Sequence, residues 1–219
     1  MKIHLQTEID KLTKKLFHLS TLVEESLELA IKAVHDQDLE LAATIKERDK
    51  EIDRTEVDIE EDCLKILALH QPVAADLRFL ITVLKMNNDL ERIGDLAVNI
   101  SKGKPCLVEG SSPLVFGERL KDLGDKAQLM LRNSLQALLD LNVEGARQVL
   151  AADDEVDADY KNFTDLIKAQ LGGNKEQTDL MVTWVMIAKH IERVADLATN
   201  IAEDTIYTVT GEIVRHGNC

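Results

Sequence analysis

Apolar residues in the first part of the chain fall in steps of three and four, at Ile9, Leu12, Leu16, Leu19, Val23, Leu27, Ala30 and Val34. That spacing keeps them on one side of a helix and predicts a first helix from Ile3 to about His35. The HDQD stretch at 35–38 then offers Asp36 or Asp38 as the N-cap of a second helix, expected from about Leu39 to Leu69. Pro72 disfavours helical dihedrals at the residue before it and can itself stand in the first turn of a third helix, which reaches about Ser101. Residues 102–113, KGKPCLVEGSSP, gather Gly, Pro and Ser between periodic segments and read as a linker. Ser111 or Ser112 caps a fourth helix with Pro113 in its first turn, running to about Leu141. A fifth helix is expected from about Val143 to Leu171, stopped by Gly172 and Gly173, and a sixth from about Lys175 to Tyr207. The tail beyond Thr210 is expected to fray.

The pattern repeats. Leu90–Ile100 reads LERIGDLAVNI and Ile191–Ile201 reads IERVADLATNI, with Glu91, Arg92, Asp95, Leu96, Ala97, Asn99 and Ile100 recurring at a constant offset of 101 residues. Around each copy runs an unbroken seam: Phe79, Val83, Met86, Leu90, Ile93, Ala97 and Ile100 in one, Leu180, Trp184, Ile187, Ile191, Val194, Ala198 and Ile201 in the other. Self-similarity at about half the chain length means two copies of one unit. The expected architecture is all-α: six long antiparallel helices in two tandem three-helix bundles, residues 1–104 and 105–219. Low aromatic content (3%), three prolines and ten glycines suit long helices packed through aliphatic side chains.

What the repeat preserves is chemical as well as apolar. Glu91, Asp95 and Asn99 lie four apart, so they form a polar ladder on one helix face beside the seam, and Glu192, Asp196 and Asn200 do the same. The preceding helix of each half carries a matching pair. Asp153 interrupts the seam Val149, Val156, Tyr160, Phe163 and Ile167, with Asp157 four residues on. Asp49 and Asp53 take those places on the seam Ile45, Ile52, Ile59 and Cys63, at an offset of 104. Each half therefore brings two carboxylate pairs to the apolar face, and burying ionised carboxylates is costly unless they are paired or metal-bound. Four acids on adjacent antiparallel helices repel one another, and multivalent cations are the usual remedy. Oxygen-only donors favour hard ions such as Mg, Mn, Ca or ferric iron over a Cys/His zinc site. The plainer reading makes these acids solvated charges paired with Arg48, Lys50, Arg54, Arg92 or Arg193, and the arginines are assigned to orienting or neutralising the acids.

Charge and sequence motifs narrow the function. The net charge of −14 is spread over both halves with no basic patch, so nucleic acid is not an expected partner. No run of about 18 apolar residues suggests membrane insertion, and the charge-broken N-terminus does not read as a signal peptide. Cys63, Cys106 and Cys219 make no C-x-x-C and suit reduced thiols in a cytoplasm. No Glu is followed by His three residues later, which disfavours a ferritin-like di-iron oxidase or metal-storage bundle. His190 is read as a surface or edge residue. Phosphate-cradling loops and nucleophile elbows are absent, so no enzyme is expected.

The stretch LALHQPVAADLRFLITVLKMNNDLERIGDLAVNI (Leu67–Ile100), the second copy IERVADLATNIAED (Ile191–Asp204) and the tandem architecture together resemble the PhoU family of phosphate-uptake regulators. The resemblance spans nearly the whole chain. It implies multinuclear metal clusters on E(D)-x-x-x-D pairs, with iron, Mg, Mn or Zn as the ions. By position the ligands are Asp49, Asp53, Glu91 and Asp95 in the first half and Asp153, Asp157, Glu192 and Asp196 in the second. It also implies a negative regulator of phosphate uptake and of the phosphate-starvation response. The implied partners are the ATPase of the phosphate ABC transporter and the sensor histidine kinase of the two-component system. Such a protein is expected in the cytoplasm, peripheral to the inner membrane through its partners, and its exposed bundle faces suit a homodimer. The family often has His after the motif Asp, where this chain has Leu96 and Leu197, and Ala195 replaces the motif Gly in the second copy.

Overall fold

A computed structural model of the chain describes residues 2–103, 113–171 and 175–214. Every regular element in them is helical: α1 (Lys2–Asp36), α2 (Leu39–His70), α3 (Ala74–Ser101), α4 (Pro113–Leu139), α5 (Val143–Gln170) and α6 (Lys175–Thr210). Asp38 is the cap predicted for α2, its carboxylate accepting from the backbone N–H groups of Glu40 and Leu41. Asn142 does the same for α5, accepting from Gly145 N–H at 3.0 Å. The turn between α2 and α3 departs from expectation. Pro72 stands ahead of α3 instead of in its first turn: Gln71 takes left-handed dihedrals (φ 47°, ψ 56°) and Ala74, the first residue of α3, has φ 50°, so the chain turns across residues 71–74. Ser111, Ser112, Gly172 and Gly173, with most of the linker and its 104/105 boundary, lie outside the described residues.

α1 packs on α2 and α3, and α4 on α5 and α6, giving two three-helix bundles. They meet chiefly through α3 against α6, and also through α1 against α4. α2 and α5 therefore flank the molecule on outer positions. The seams read from the sequence are core: Leu90, Ile93, Ala97, Ile100, Ile191, Val194 and Ala198 are all fully buried. Backbones approach closely where side chains are small. A methyl placed on Gly124 of α4 would lie 2.9 Å from Ile31 of α1, and one on Gly94 of α3 would lie 3.1 Å from Ile52 of α2.

α3 and α6 also share a polar contact beneath the junction. The Thr208 hydroxyl lies 2.7 Å from that of Thr82, and Lys85 Nζ lies 2.7 Å from Asp204 Oδ1. Cys63 is buried in the first bundle, and burial pushes its thiol up to about 12, so it packs as a small apolar group.

Candidate carboxylate centres

Gly94 sets the first centre. Its missing side chain lets α2 come close enough that Asp49 Oδ1 would stand 3.4 Å from a methyl at that position. Asp49 interrupts the buried line Ile45, Ile52, Ile59, so its carboxylate is held at the α2–α3 crevice, half-buried. Desolvation, then the charges of Asp53 and Asp95, raise it above the usual carboxylate range. Glu91 is raised for the same reasons, by desolvation and by Asp95, Asp53, Glu56 and Asp49 in turn. The four predicted acids of the first half thus lie within one another's electrostatic reach.

The second half repeats this. Desolvation and the charges of Asp157, Asp196, Asp154 and Glu192 push Asp153 up to about 6. Asp196 is raised by desolvation and by Asp157, with Lys189 and Arg193 opposing. All eight predicted residues fall into two quartets, one at α2–α3 and one at α5–α6. Among the described residues no group of three or more His, Cys, Asp or Glu already stands arranged to hold an ion.

The cations differ from expectation. Arg48 pairs with Glu25 at 2.6 Å, Lys50 with Glu47 at 2.8 Å and Arg92 with Asp89 at 3.4 Å, so these three do not neutralise the predicted acids. Arg48 reaches Glu25 on the neighbouring α1, whereas Lys50 and Arg92 take acids three residues back on their own helices, Glu47 and Asp89. Arg193 keeps the expected part, its charge lowering Asp196. Lys189 engages the second quartet directly: its Nζ reaches both oxygens of Glu192 at 2.5 and 2.6 Å and lies 5.3 Å from the Tyr160 ring centroid. His190 is half-buried, its Nδ1 lacks a partner, and desolvation followed by the charge of Arg193 lowers its pKa.

Two more residues escaped the sequence reading. Glu56 stands on α2 near Asp53, raised by desolvation and then by Glu60 and Asp53. Asn87, one turn before Glu91 on α3 and only 1% exposed, donates its amide to the Glu56 backbone carbonyl at 2.9 Å and to Glu56 Oε1 at 3.0 Å. Its own carbonyl oxygen is buried without a partner. The signal available in the sequence was a break in the repeat, since Glu56 and Asn87 correspond to Tyr160 and Ala188.

Between α3 and α6 the ladders line a cavity of about 400 Å³, formed by the repeat-related pairs Arg92 and Arg193, Asp95 and Asp196, Leu96 and Leu197, Asn99 and Asn200. Asp95 and Asp196 belong both to this cavity and to their own quartets. Asn99 Oδ1 accepts from Lys102 at 3.2 Å.

The PhoU domain family model matches the chain twice, at residues 16–103 and 120–205. The phosphate-specific transport system accessory protein PhoU homolog of Clostridium acetobutylicum is 30% identical over 210 residues, covering 95% of each chain. Two crystal structures are similar over nearly the whole fold. PhoU from Pseudomonas aeruginosa has a TM-score of 0.87 at 32% identity, covering 94% of this chain and 99% of its own. The phosphate transport system regulatory protein PhoU from Streptococcus pneumoniae has a TM-score of 0.88 at 30% identity, with 97% and 100% covered.

Proposed function

The chain belongs to the PhoU family, and from that premise we propose that it is a non-enzymatic, metal-binding accessory protein of phosphate transport. In this reading it restrains phosphate uptake and phosphate-starvation signalling through contacts with the transporter ATPase and the sensor histidine kinase. The names carried by its relatives, an accessory protein and a regulatory protein of the phosphate transport system, support the transport link. No helix among the described residues is long and apolar enough to cross a membrane, so contact with a transporter would be made from its surface.

The observation that carries the metal reading is the pair of carboxylate quartets, in which desolvation and the charges of neighbouring members raise Asp49 and Glu91 in one and Asp153 and Asp196 in the other. The donor set suits hard cations: Asp49, Asp53, Glu91 and Asp95 on one side, Asp153, Asp157, Glu192 and Asp196 on the other, all oxygen donors on rigid helices. Bound cations would supply the positive charge the quartets lack. The chain's own residues do the rest. α2 and α3, or α5 and α6, hold the acids at fixed spacing, and drawing them together tightens the crevice between the helices.

The test is metal content and melting temperature of the intact chain with chelator and with added Mn or Mg. Asp95→Asn combined with Asp196→Asn should reduce the bound metal while leaving helicity by circular dichroism unchanged. An unaltered metal stoichiometry in that double variant would refute the site assignment. Capture from cell extract at high and low phosphate tests the partners: neither ATPase nor kinase retained under either condition would sink that part.

A further inference from the structure

We propose that the two carboxylate centres are unequal: the first extends by one helical turn through Glu56 and Asn87, whereas in the second the Lys189 ammonium occupies that turn and stands in for a cation. This rests on the metal-binding reading above and concerns how much cation each half takes.

The observations come from the places where the repeat breaks. In the first centre the ladder on α3 runs backward from Asp95 through Glu91 to Asn87, spaced by four. Asn87 is 1% exposed, gives its N–H groups to Glu56, and keeps a carbonyl oxygen that nothing satisfies. A buried amide oxygen without a donor is costly, and beside a carboxylate it is a ready hard-ion ligand. Glu56 and Asn87 Oδ1 thus add oxygen donors one turn above Asp53 and Glu91. Lys102, whose charge lowers Asp49, lies at the opposite end of this centre and gives its ammonium to Asn99 Oδ1.

In the second centre the same turn is closed. Ala188 replaces Asn87, Tyr160 replaces Glu56, and Lys189 replaces the exposed Asn88. The Lys189 ammonium bonds both oxygens of Glu192, itself only 9% exposed, and faces the Tyr160 ring at 5.3 Å. A ligand oxygen already committed to an ammonium binds metal only by displacing it. Asp154 adds negative charge near Asp153 but stands on the solvent side of α5.

The experiment is Mn²⁺ titration of the full chain after chelator treatment, reading free Mn²⁺ by electron paramagnetic resonance. Asp196→Asn isolates the first centre and Asp95→Asn the second. In the Asp95→Asn background, Lys189→Gln should tighten Mn²⁺ binding about tenfold or more, while Lys189→Arg, which keeps the charge, leaves it near the starting value. In the Asp196→Asn background, Glu56→Gln should weaken binding about tenfold or lose one ion. Circular dichroism checks that each variant is folded. Equal binding by both centres, indifferent to Lys189 and Glu56, would overturn the inference and leave the metal reading standing. No Mn²⁺ bound by the unaltered chain would overturn both.

Discussion

Asp153 is the residue with the clearest consequence in solution. Its carboxyl is pushed up to about 6 in the fold by desolvation and by Asp157 and Asp196, against about 3.9 in an unfolded chain. The folded state therefore binds the extra proton, so this contribution to stability is fully present below the unfolded value and is lost as pH rises through about 6. Asp49, Glu91 and Asp196 are raised in the same direction. With chelator present, the melting temperature should fall as pH rises from about 4 to about 6, and Asp153→Asn should flatten that slope. A melting temperature that rises over that window would contradict a raised Asp153 carboxyl. The acids themselves were legible in the sequence, because spacing by four on a seam of known period fixes which face they share. Glu56, Asn87 and Lys189 were not, because each departs from the repeat that drew attention to the others. Among the arginines, Arg193 acts on Asp196 as expected, whereas Arg48 turned to Glu25 on α1 and Arg92 to Asp89 on its own helix.

Helix existence and seams followed from periodicity, and the caps show where local chemistry sufficed. Asp38 was readable as an N-cap, and its carboxylate accepts from two backbone N–H groups. Asp38→Ala should cost about 1 kcal/mol by denaturant unfolding, and no measurable loss would mean the cap is redundant. The entry to α3 was less readable. Its N-cap residue, Val73, makes no side-chain cap hydrogen bond, and the chain turns through a left-handed Gln71 and a positive φ at Ala74, residues whose types do not announce them. Propensity could place Pro72 at a helix start, but the bundle geometry decides how many residues the turn needs, and here that is three more after His70.

The two bundles are joined by α3 against α6, with Thr82, Thr208, Lys85 and Asp204 at the junction. Burial of the seams on both sides of that junction makes independent melting of one half unfavourable. Trp184, the chain's one tryptophan, lies buried in the second bundle 6.3 Å from Phe116 and reports on that half alone. Its fluorescence should change over the same denaturant range as far-UV circular dichroism, which averages both halves. Thr82→Val, which removes a buried hydroxyl contact, should shift both signals together by about 1 kcal/mol. A fluorescence transition that precedes the loss of helicity would show that the bundles unfold separately.

The uninterrupted length of α2, α3, α5 and α6 restricts how this chain can change over time. Inserting one residue between Glu91 and Asp95 would swing everything beyond it by about 100° around the axis, taking Asp95 off the crevice and Ile100 out of the core at once. Deletion does the same in the opposite sense. Changes in length are tolerable only between helices, at turns such as Gln37–Asp38, while within the helices the chain can vary by substitution alone.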